Sequence, residues 1–277
     1  MKNNQTKLWV TLLIFTLLFS LFTVYVTSKE NLSVSAKSAA LYEPDSDTFI
    51  YKKNFNLRLP MASTTKIMTA LLALEVLDTE KNVKIDERAV GVDGSSIYLE
   101  AGEEMSVMDL VYATMLASAN DAAEALAYEI AGDIDSFSSF MNERAYEIGL
   151  KDTNFLNPHG LDASGHYTTA HDLALICAEA LKNPTFRTVS STYKRVIESN
   201  LKTRTVVNHN KLLKAYDGCI GVKTGYTKIS GRSLVSAAER DGITLIAVTI
   251  NAPNDWTDHK AMLDLGFSKA TNVAKSQ

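Results

Sequence analysis

Apolar residues fall along this chain in three regimes. From Leu8 to Val26 they run as LWVTLLIFTLLFSLFTVYV, without a charged residue and with Lys2 and Lys7 in front. That length nearly matches the ~20 residues needed to cross a bilayer. Through the middle of the chain they recur at helical spacing: Thr64–Leu77 carries Ile67, Leu71, Leu74, Val76 and Leu77 on a repeat of three and four. Further helices are predicted from Ser106, where Ser106 and Asp109 form a capping box, over Ala122–Ile130, and ending near Gly149. Another starts at Thr169, with Asp172 completing the box, and stops before Pro184. After Pro184 the apolar residues come in short runs, which predict strands over Tyr193–Ile197, Thr203–Val207, Ile220–Thr224, Ser233–Ala238 and Thr244–Ile250. Two more strands, Ser38–Tyr42 and Thr48–Lys52, flank the turn-rich Glu43–Asp47, and a helix over Asp258–Leu265 closes the pattern.

Strands therefore come from both ends of the chain and helices from its middle, which is not the alternation of a doubly wound sheet. The short links Gly225–Arg232 and Glu239–Gly242 favour antiparallel pairing. The expected fold is α+β: an antiparallel sheet packed with helices, a mainly helical subdomain inserted centrally, and a cleft between the two. With 277 residues, 46% of them hydrophobic, the chain can bury a sizeable core. A formal net charge of -4 leaves no basic footprint, so nucleic acid is not an expected partner.

The flanking lysines favour a cytoplasmic N-terminus, which puts the remainder outside the cytoplasm. Two readings fit the leader: a cleaved signal, with Val34-Ser35-Ala36 as the cleavage site, or an uncleaved membrane anchor spanning Leu8–Val26. Cys177 and Cys219 would then occupy a compartment that permits disulfides, yet they fall in a predicted helix and a predicted strand. They read as two buried, unpaired apolar residues.

Three segments carry candidate chemistry. Ser63-Thr64-Thr65-Lys66 opens an apolar helix, and residues three apart share a helix face, so the Ser63 hydroxyl and the Lys66 amine fall within reach of each other. A serine needs a base to take its proton, and a lysine is a base only when burial or a second positive charge keeps it neutral. Taken alone, the tetrad is equally a helix cap followed by a surface lysine. Ser118-Ala119-Asn120 sits at a break between predicted helices, where a hydroxyl and an amide can project into a cleft; Ser and Asn are also common in ordinary turns. Lys223-Thr224-Gly225 ends an apolar strand, with a glycine that lets another backbone approach and a lysine and threonine suited to a carboxylate. Lys223 also supplies the second positive charge beside Lys66. Each segment is weak by itself. Their order and spacing form one set, that of class A β-lactamases and penicillin-binding proteins.

On these motifs the chain resembles the low-molecular-mass penicillin-binding proteins, the serine-type D-alanyl-D-alanine carboxypeptidases. The resemblance runs from about Ala39 to Phe267 and includes Pro60–Ala70, Asn157-Pro158-His159-Gly160-Leu161-Asp162, His166, Thr169-Ala170, Asp172, Asn208, Asn210, Leu212-Leu213 and Gly221–Thr227. It implies a β-lactamase/transpeptidase-like fold, with a signal or anchor over 1–36, a catalytic domain over 37–272 and a tail over 273–277. It further implies attack by Ser63 on the bond between two terminal D-alanines of a peptidoglycan stem peptide, with Lys66 as general base. Ser118 would pass a proton to the leaving group, Asn120 would hold the substrate amide, and Thr224, Gly225 and Tyr226 would bind substrate beside Lys223. The backbone N–H groups of Ser63 and Tyr226 would form the oxyanion hole. β-Lactam antibiotics are implied as covalent inhibitors, the membrane as a partner through the leader, and no cofactor or metal is required. Some relatives grip the substrate carboxylate with an arginine near the last strand; the corresponding Asn251–His259 has none, which leaves Lys223, Thr224 and His259 for that task.

Rival readings are set aside by specific residues. A class A β-lactamase needs a glutamate-bearing loop, where this chain reads NFLNPHGLD. His159, His166, His171, His209 and His259 form no HExxH pair, and no G-x-S-x-G elbow is present. His166 and His171 read as structural, or as lying near the cleft rim, rather than as ligands. An endopeptidase would use the same machinery, and a peptidoglycan-binding protein with an inactive site would lack a motif residue, where here none is missing.

Overall fold

The computed structural model describes residues 32–274. The apolar stretch Leu8–Val26 lies outside them; among the described residues no helix is long and apolar enough to cross a membrane. From Val34 onward the chain is one compact unit. In chain order it comprises β1 (Ser38–Glu43), β2 (Thr48–Lys53), α1 (Lys66–Val76), β3 (Asn82–Lys84), β4 (Glu104–Ser106), α2 (Val107–Leu116), α3 (Asn120–Ala131) and α4 (Ile134–Ile148). There follow α5 (Ala170–Lys182), α6 (Pro184–Ser191), β5 (Lys194–Glu198), β6 (Thr203–Val207), α7 (Leu212–Ala215), β7 (Cys219–Thr227), β8 (Gly231–Arg240), β9 (Ile243–Ile250) and α8 (Asp255–Ala274).

The main sheet has the order β2-β1-β9-β8-β7, antiparallel throughout, so strands from the two ends of the chain meet at the β1/β9 pair. The period of two divides its side chains between two cores. Val235, Ala237, Ile246, Val248 and Ile250 join the cluster of the helical layer. Residues of opposite parity face α8: Ser236 and Thr249 bond to His259, and Leu41 and Leu245 crowd Gly266. On the other side α1 lies at the centre of the helices, apolar all round, with Ile67 to Ala73 buried. A helix without a polar stripe is stable only when enclosed, and α2, α3 and α5 enclose it.

The capping boxes work as the sequence indicates: Ser106 Oγ accepts from Asp109 N at 3.1 Å, and Thr169 Oγ1 from Asp172 N at 3.0 Å. Gly149 ends α4 in the left-handed region. Three elements escape the pattern. Helix α6 begins on the residue taken as a stop, because Pro184 occupies the first helical position and Asn183 caps it through Thr185 N and Phe186 N. The hairpin β3/β4 is only three residues per strand, too short for an alternation signal. Strands β5 and β6 pair with each other as a separate hairpin instead of joining the main sheet. Cys177 is buried in α5 and Cys219, at the start of β7, is only half-buried; neither is in a disulfide.

Before β1 the chain is already part of the fold. Val34 and Ala36 are buried. Ser35 donates from both N and Oγ to Asp258 at 2.7–3.0 Å, and Ser35 Oγ accepts from Asn254 N. Lys53 Nζ reaches Val34 O at 2.7 Å. The segment Val34-Ser35-Ala36 therefore ties the first turn of α8 to the sheet edge. Replacing Asp258 by Ala strips the acceptor from the two donors of Ser35, and urea unfolding of the full chain is expected to show a loss of about 1 kcal/mol. An unchanged midpoint would mean that this segment contributes nothing to the fold.

Candidate active site

The Ser63 segment is a tight turn over Ala62–Thr65 that runs into α1. Two hydroxyls lock it: Thr64 Oγ1 donates to Met61 O at 2.6 Å and Thr65 Oγ1 to Ala62 O at 2.8 Å. Ala62 is held at a φ of 47°, a region that costs a non-glycine residue roughly 1–3 kcal/mol. The neighbours accommodate it. A Cβ on Gly160, itself at φ 87°, would lie 1.9 Å from Ala62 O, and a Cβ on Gly225 would lie 3.1 Å from both Ala62 Cβ and Ser63 N. Two bare backbones thus close on the turn, one from the 157–161 loop and one from β7.

That loop is fixed from several directions. Asn157 Oδ1 accepts from Gly160 N at 2.6 Å, Thr69 Oγ1 donates to Pro158 O at 2.6 Å, and Thr227 Oγ1 donates to Asp162 at 2.9 Å. Histidine tautomers follow from their backbone donors. Leu156 N donates to His166 Nδ1, so His166 Nε2 carries the proton and donates to Thr65 Oγ1 at 2.9 Å. Leu161 N donates to His159 Nδ1, and His159 Nε2 faces Glu124 at 3.1 Å. Burial holds both rings below their ordinary pKa, His166 down to about 4.

Lys66 projects from α1 with no exposed surface. Its Nζ lies 2.6 Å from Asn120 Oδ1, 2.8 Å from His159 O and 3.2 Å from Ser63 Oγ. Two of these partners are carbonyl oxygens that only accept. An amine without its third proton fits them with its two N–H groups and turns its lone pair toward the Ser63 hydroxyl. Burial pushes the Lys66 pKa well below its usual value, Lys223 pushes in the same direction, and Asp121 opposes them.

The α2–α3 junction supplies the opposite wall. Ser118, at a φ of 59°, sits between the two helices and accepts from Lys223 Nζ at 3.0 Å. Asn120 is oriented by donating to Asp93 O at 2.5 Å, with its own N–H bonded to Ser95 O. Asp121 holds the 95–99 loop through Ser96 Oγ, Ile97 N and Leu99 N. Lys223 emerges from edge strand β7, buried, and donates to Thr224 O as well as to Ser118. Burial lowers its pKa to about 7.

The structure brings all the sequence-derived residues together in two tiers. Ser63, Ser118, Thr224, Gly225 and Tyr226 line a cleft of about 760 Å³, while Lys66, Asn120 and Lys223 stand behind it, buried. The Asn120 amide is engaged by Lys66 and Asp93 O. His259 departs from expectation: it has no exposed surface and is enclosed between Ser236 Oγ and Thr249 Oγ1 under α8, so no carboxylate in the cleft can reach it. Sequence reasoning missed Arg232, Lys211 and Lys214, which line the cleft from β8, from the residue before α7 and from α7 itself. Only Arg232 carried a signal, its place after a glycine across the β7–β8 turn from Tyr226.

The model of the D-alanyl-D-alanine carboxypeptidase family, peptidase S11, matches residues 25–254. The chain is 41% identical over 247 residues to D-alanyl-D-alanine carboxypeptidase DacF of Bacillus subtilis, which covers 86% of this chain; the chain spans 64% of that relative's length. Among solved structures, the Streptomyces K15 DD-transpeptidase superposes with a TM-score of 0.80 at 32% identity, covering 85% of this chain and 98% of that one. Penicillin-binding protein D2 of Listeria monocytogenes, in its ampicillin-bound form, superposes with a TM-score of 0.78 at 29% identity over 86% of this chain and 99% of that one.

A lysine near pH 7 in the fold has a signature in stability. Below pH 7 Lys223 holds its proton in both states; between pH 7 and its ordinary value near 10.5, the unfolded chain keeps a proton that the folded protein has released. The unfolded state then binds more protons, so this group raises stability as pH rises through that window. Urea unfolding of wild type and Lys223→Met between pH 6 and 10 is expected to show a flatter pH slope in the variant. Parallel slopes would mean that Lys223 is an ordinary charged lysine in the fold.

Proposed function

The chain belongs to the D-alanyl-D-alanine carboxypeptidase family, and we propose that it removes the terminal D-alanine from peptidoglycan stem peptides through an acyl-enzyme on Ser63. The observation that carries this reading is the environment of Lys66: a buried amine with two carbonyl acceptors, a second amine nearby and the Ser63 hydroxyl at 3.2 Å. A base in that setting is poised to take the hydroxyl proton near neutral pH.

In the proposed reaction the peptide lies along the free edge of β7. Ser63 Oγ gives its proton to Lys66 and bonds to the carbonyl carbon between the two D-alanines. The resulting oxyanion is held by the N–H groups of Ser63 and Tyr226; losing one such donor typically costs ~10²–10³ in rate. The C–N bond then breaks, and the proton passes from Lys66 through Ser118, which Lys223 holds at 3.0 Å, to the leaving D-alanine. Water attacks the ester, and the proton it yields restores the Ser63 hydroxyl. Penicillins would acylate the same serine. Lys66 and Lys223 set the chemistry, Thr224, Gly225 and Tyr226 seat the peptide, and Asn120 holds Lys66 in place while its remaining donor meets the peptide amide. The substrate lies outside the cytoplasm, where the Leu8–Val26 stretch would deliver the domain as signal or anchor.

The full chain in detergent is expected to release D-alanine from a peptide ending in D-Ala-D-Ala and to form a covalent adduct with a fluorescent penicillin. Ser63→Ala should abolish the adduct and lower kcat about 10⁴-fold or more. Release that survives in Ser63→Ala, or a folded wild type that releases nothing, would refute this assignment. A second expectation concerns pH. Only the unprotonated Lys66 can act as base, so kcat/KM should fall as acid protonates it, with a midpoint well below 10.5. A profile that stays flat from pH 5 to 9 would remove Lys66 from that role.

A further inference from the structure

The reaction above needs the free end of the peptide to be recognised, and the interior lysines are badly placed for it. Lys223 already donates to Ser118 Oγ and to Thr224 O, and its burial weakens it as a permanent charge. Lys66 is enclosed by its three partners. His259 has no exposed surface and is enclosed between Ser236 and Thr249.

Arg232 has the missing properties. It stands opposite Tyr226 in the β7–β8 ladder, while Thr224 stands opposite Leu234. Thr224, Tyr226, Arg232 and Leu234 therefore share one face, and Thr224 and Arg232 are diagonal neighbours, about 7–8 Å apart at the backbone, a gap that a long side chain spans. Arg232 Nε donates to Asp255 Oδ2 at 3.0 Å, and Asp255 is itself buried in the first turn of α8. A guanidinium has five N–H donors in a rigid fork. Those on its two terminal nitrogens meet no protein acceptor among the described residues, and the side chain lines the cleft with Thr224. Lys211, over the Trp256 ring next to Asp255, lines the same end, and Lys214 lines the cleft too; among the described residues neither has a carboxylate partner, and Asp255 is the one acid on the cleft wall. That end of the cleft thus carries an excess of positive charge, and it attracts an anion.

We propose that Arg232, positioned by Asp255, pairs with the carboxylate at the free end of the bound peptide, with the Thr224 hydroxyl as second donor, and so selects peptides ending in a free acid. The inference rests on the carboxypeptidase reading and assigns the acid-binding group within it. It also accounts for the absence of arginine from 251–259: the cation comes from β8 and meets an aspartate at the start of α8.

The test compares two peptides that differ only in ending with D-alanine or D-alaninamide, using the full chain in detergent. Wild type is expected to favour the free acid. Arg232→Gln should lower kcat/KM for the acid by about 10- to 100-fold, chiefly through KM, and narrow the acid-to-amide ratio by the same factor. Arg232→Lys should restore part of the ratio, since it keeps the charge but not the fork. Asp255→Asn should narrow it less than Arg232→Gln does. A merely structural role would lower both peptides together, and that result, or an unchanged ratio, overturns the proposal. A folded wild type that turns over neither peptide overturns this proposal and the carboxypeptidase reading together, whereas active wild type with an unchanged ratio in the variants overturns this proposal alone.

Discussion

Everything near the cleft depends on keeping two amines dry. Lys66 and Lys223 are 0% and 1% exposed, and an isolated ammonium in such a place is costly enough that the group sheds its proton instead. Among the described residues neither has a carboxylate within ion-pair distance; their near neighbours are carbonyls, hydroxyls and each other's charge. Had the fold supplied a direct acidic partner, both amines would stay charged and neither could act as a base. Asp121 attracts the Lys66 charge, but its carboxylate is occupied by Ser96, Ile97 and Leu99 of the cleft-wall loop.

Dry amines need walls on every side, and the topology supplies them from distant parts of the chain. The mostly apolar α1 delivers Lys66 from the centre of the helical layer, and β7, an edge strand, delivers Lys223. The 157–161 loop lies over the Ser63 turn with Gly160 at the contact, and Gly225 meets the same turn from the sheet. These contacts leave no room for a side chain. The free edge of β7 remains the open approach, which is why a peptide backbone can add there as another strand.

Much of this was legible in the sequence, for identifiable reasons. The strands read from their short apolar runs and the helices from capping residues such as Ser106 and Thr169, because those signals are local. Helix α6 was missed because a proline that ends one helix can begin the next. The reach from Lys66 to Ser63 followed from helical spacing, and the meeting of Lys223 with Ser118 became credible only as part of a set of motifs. His259 was misplaced because sequence does not say which residues of a helix are buried against a sheet: the ring is enclosed under α8 by Ser236 and Thr249. Arg232 was overlooked for a related reason, since its relation to Asp255 exists only once β8 and α8 are folded together.

The chemistry and the stability of such a site pull in opposite directions. Each buried amine weakens the fold at neutral pH, because the unfolded chain is free to bind a proton that the folded one holds poorly. An apolar residue of similar volume in either position would remove that penalty and, with it, the proposed base or its partner. The rest of the molecule must offset the penalty, and it does so away from the reacting groups: through the apolar belt around α1, the core under α8, and the clasp of Ser35 on Asp258. The division extends to charge. In the interior the amines are held near neutrality so that protons can move, whereas the rim carries a guanidinium, which stays charged at any pH the protein meets. Proton transfer and anion attraction make incompatible demands on a cation, and the proposed roles divide them between one kind behind the cleft and another beside it.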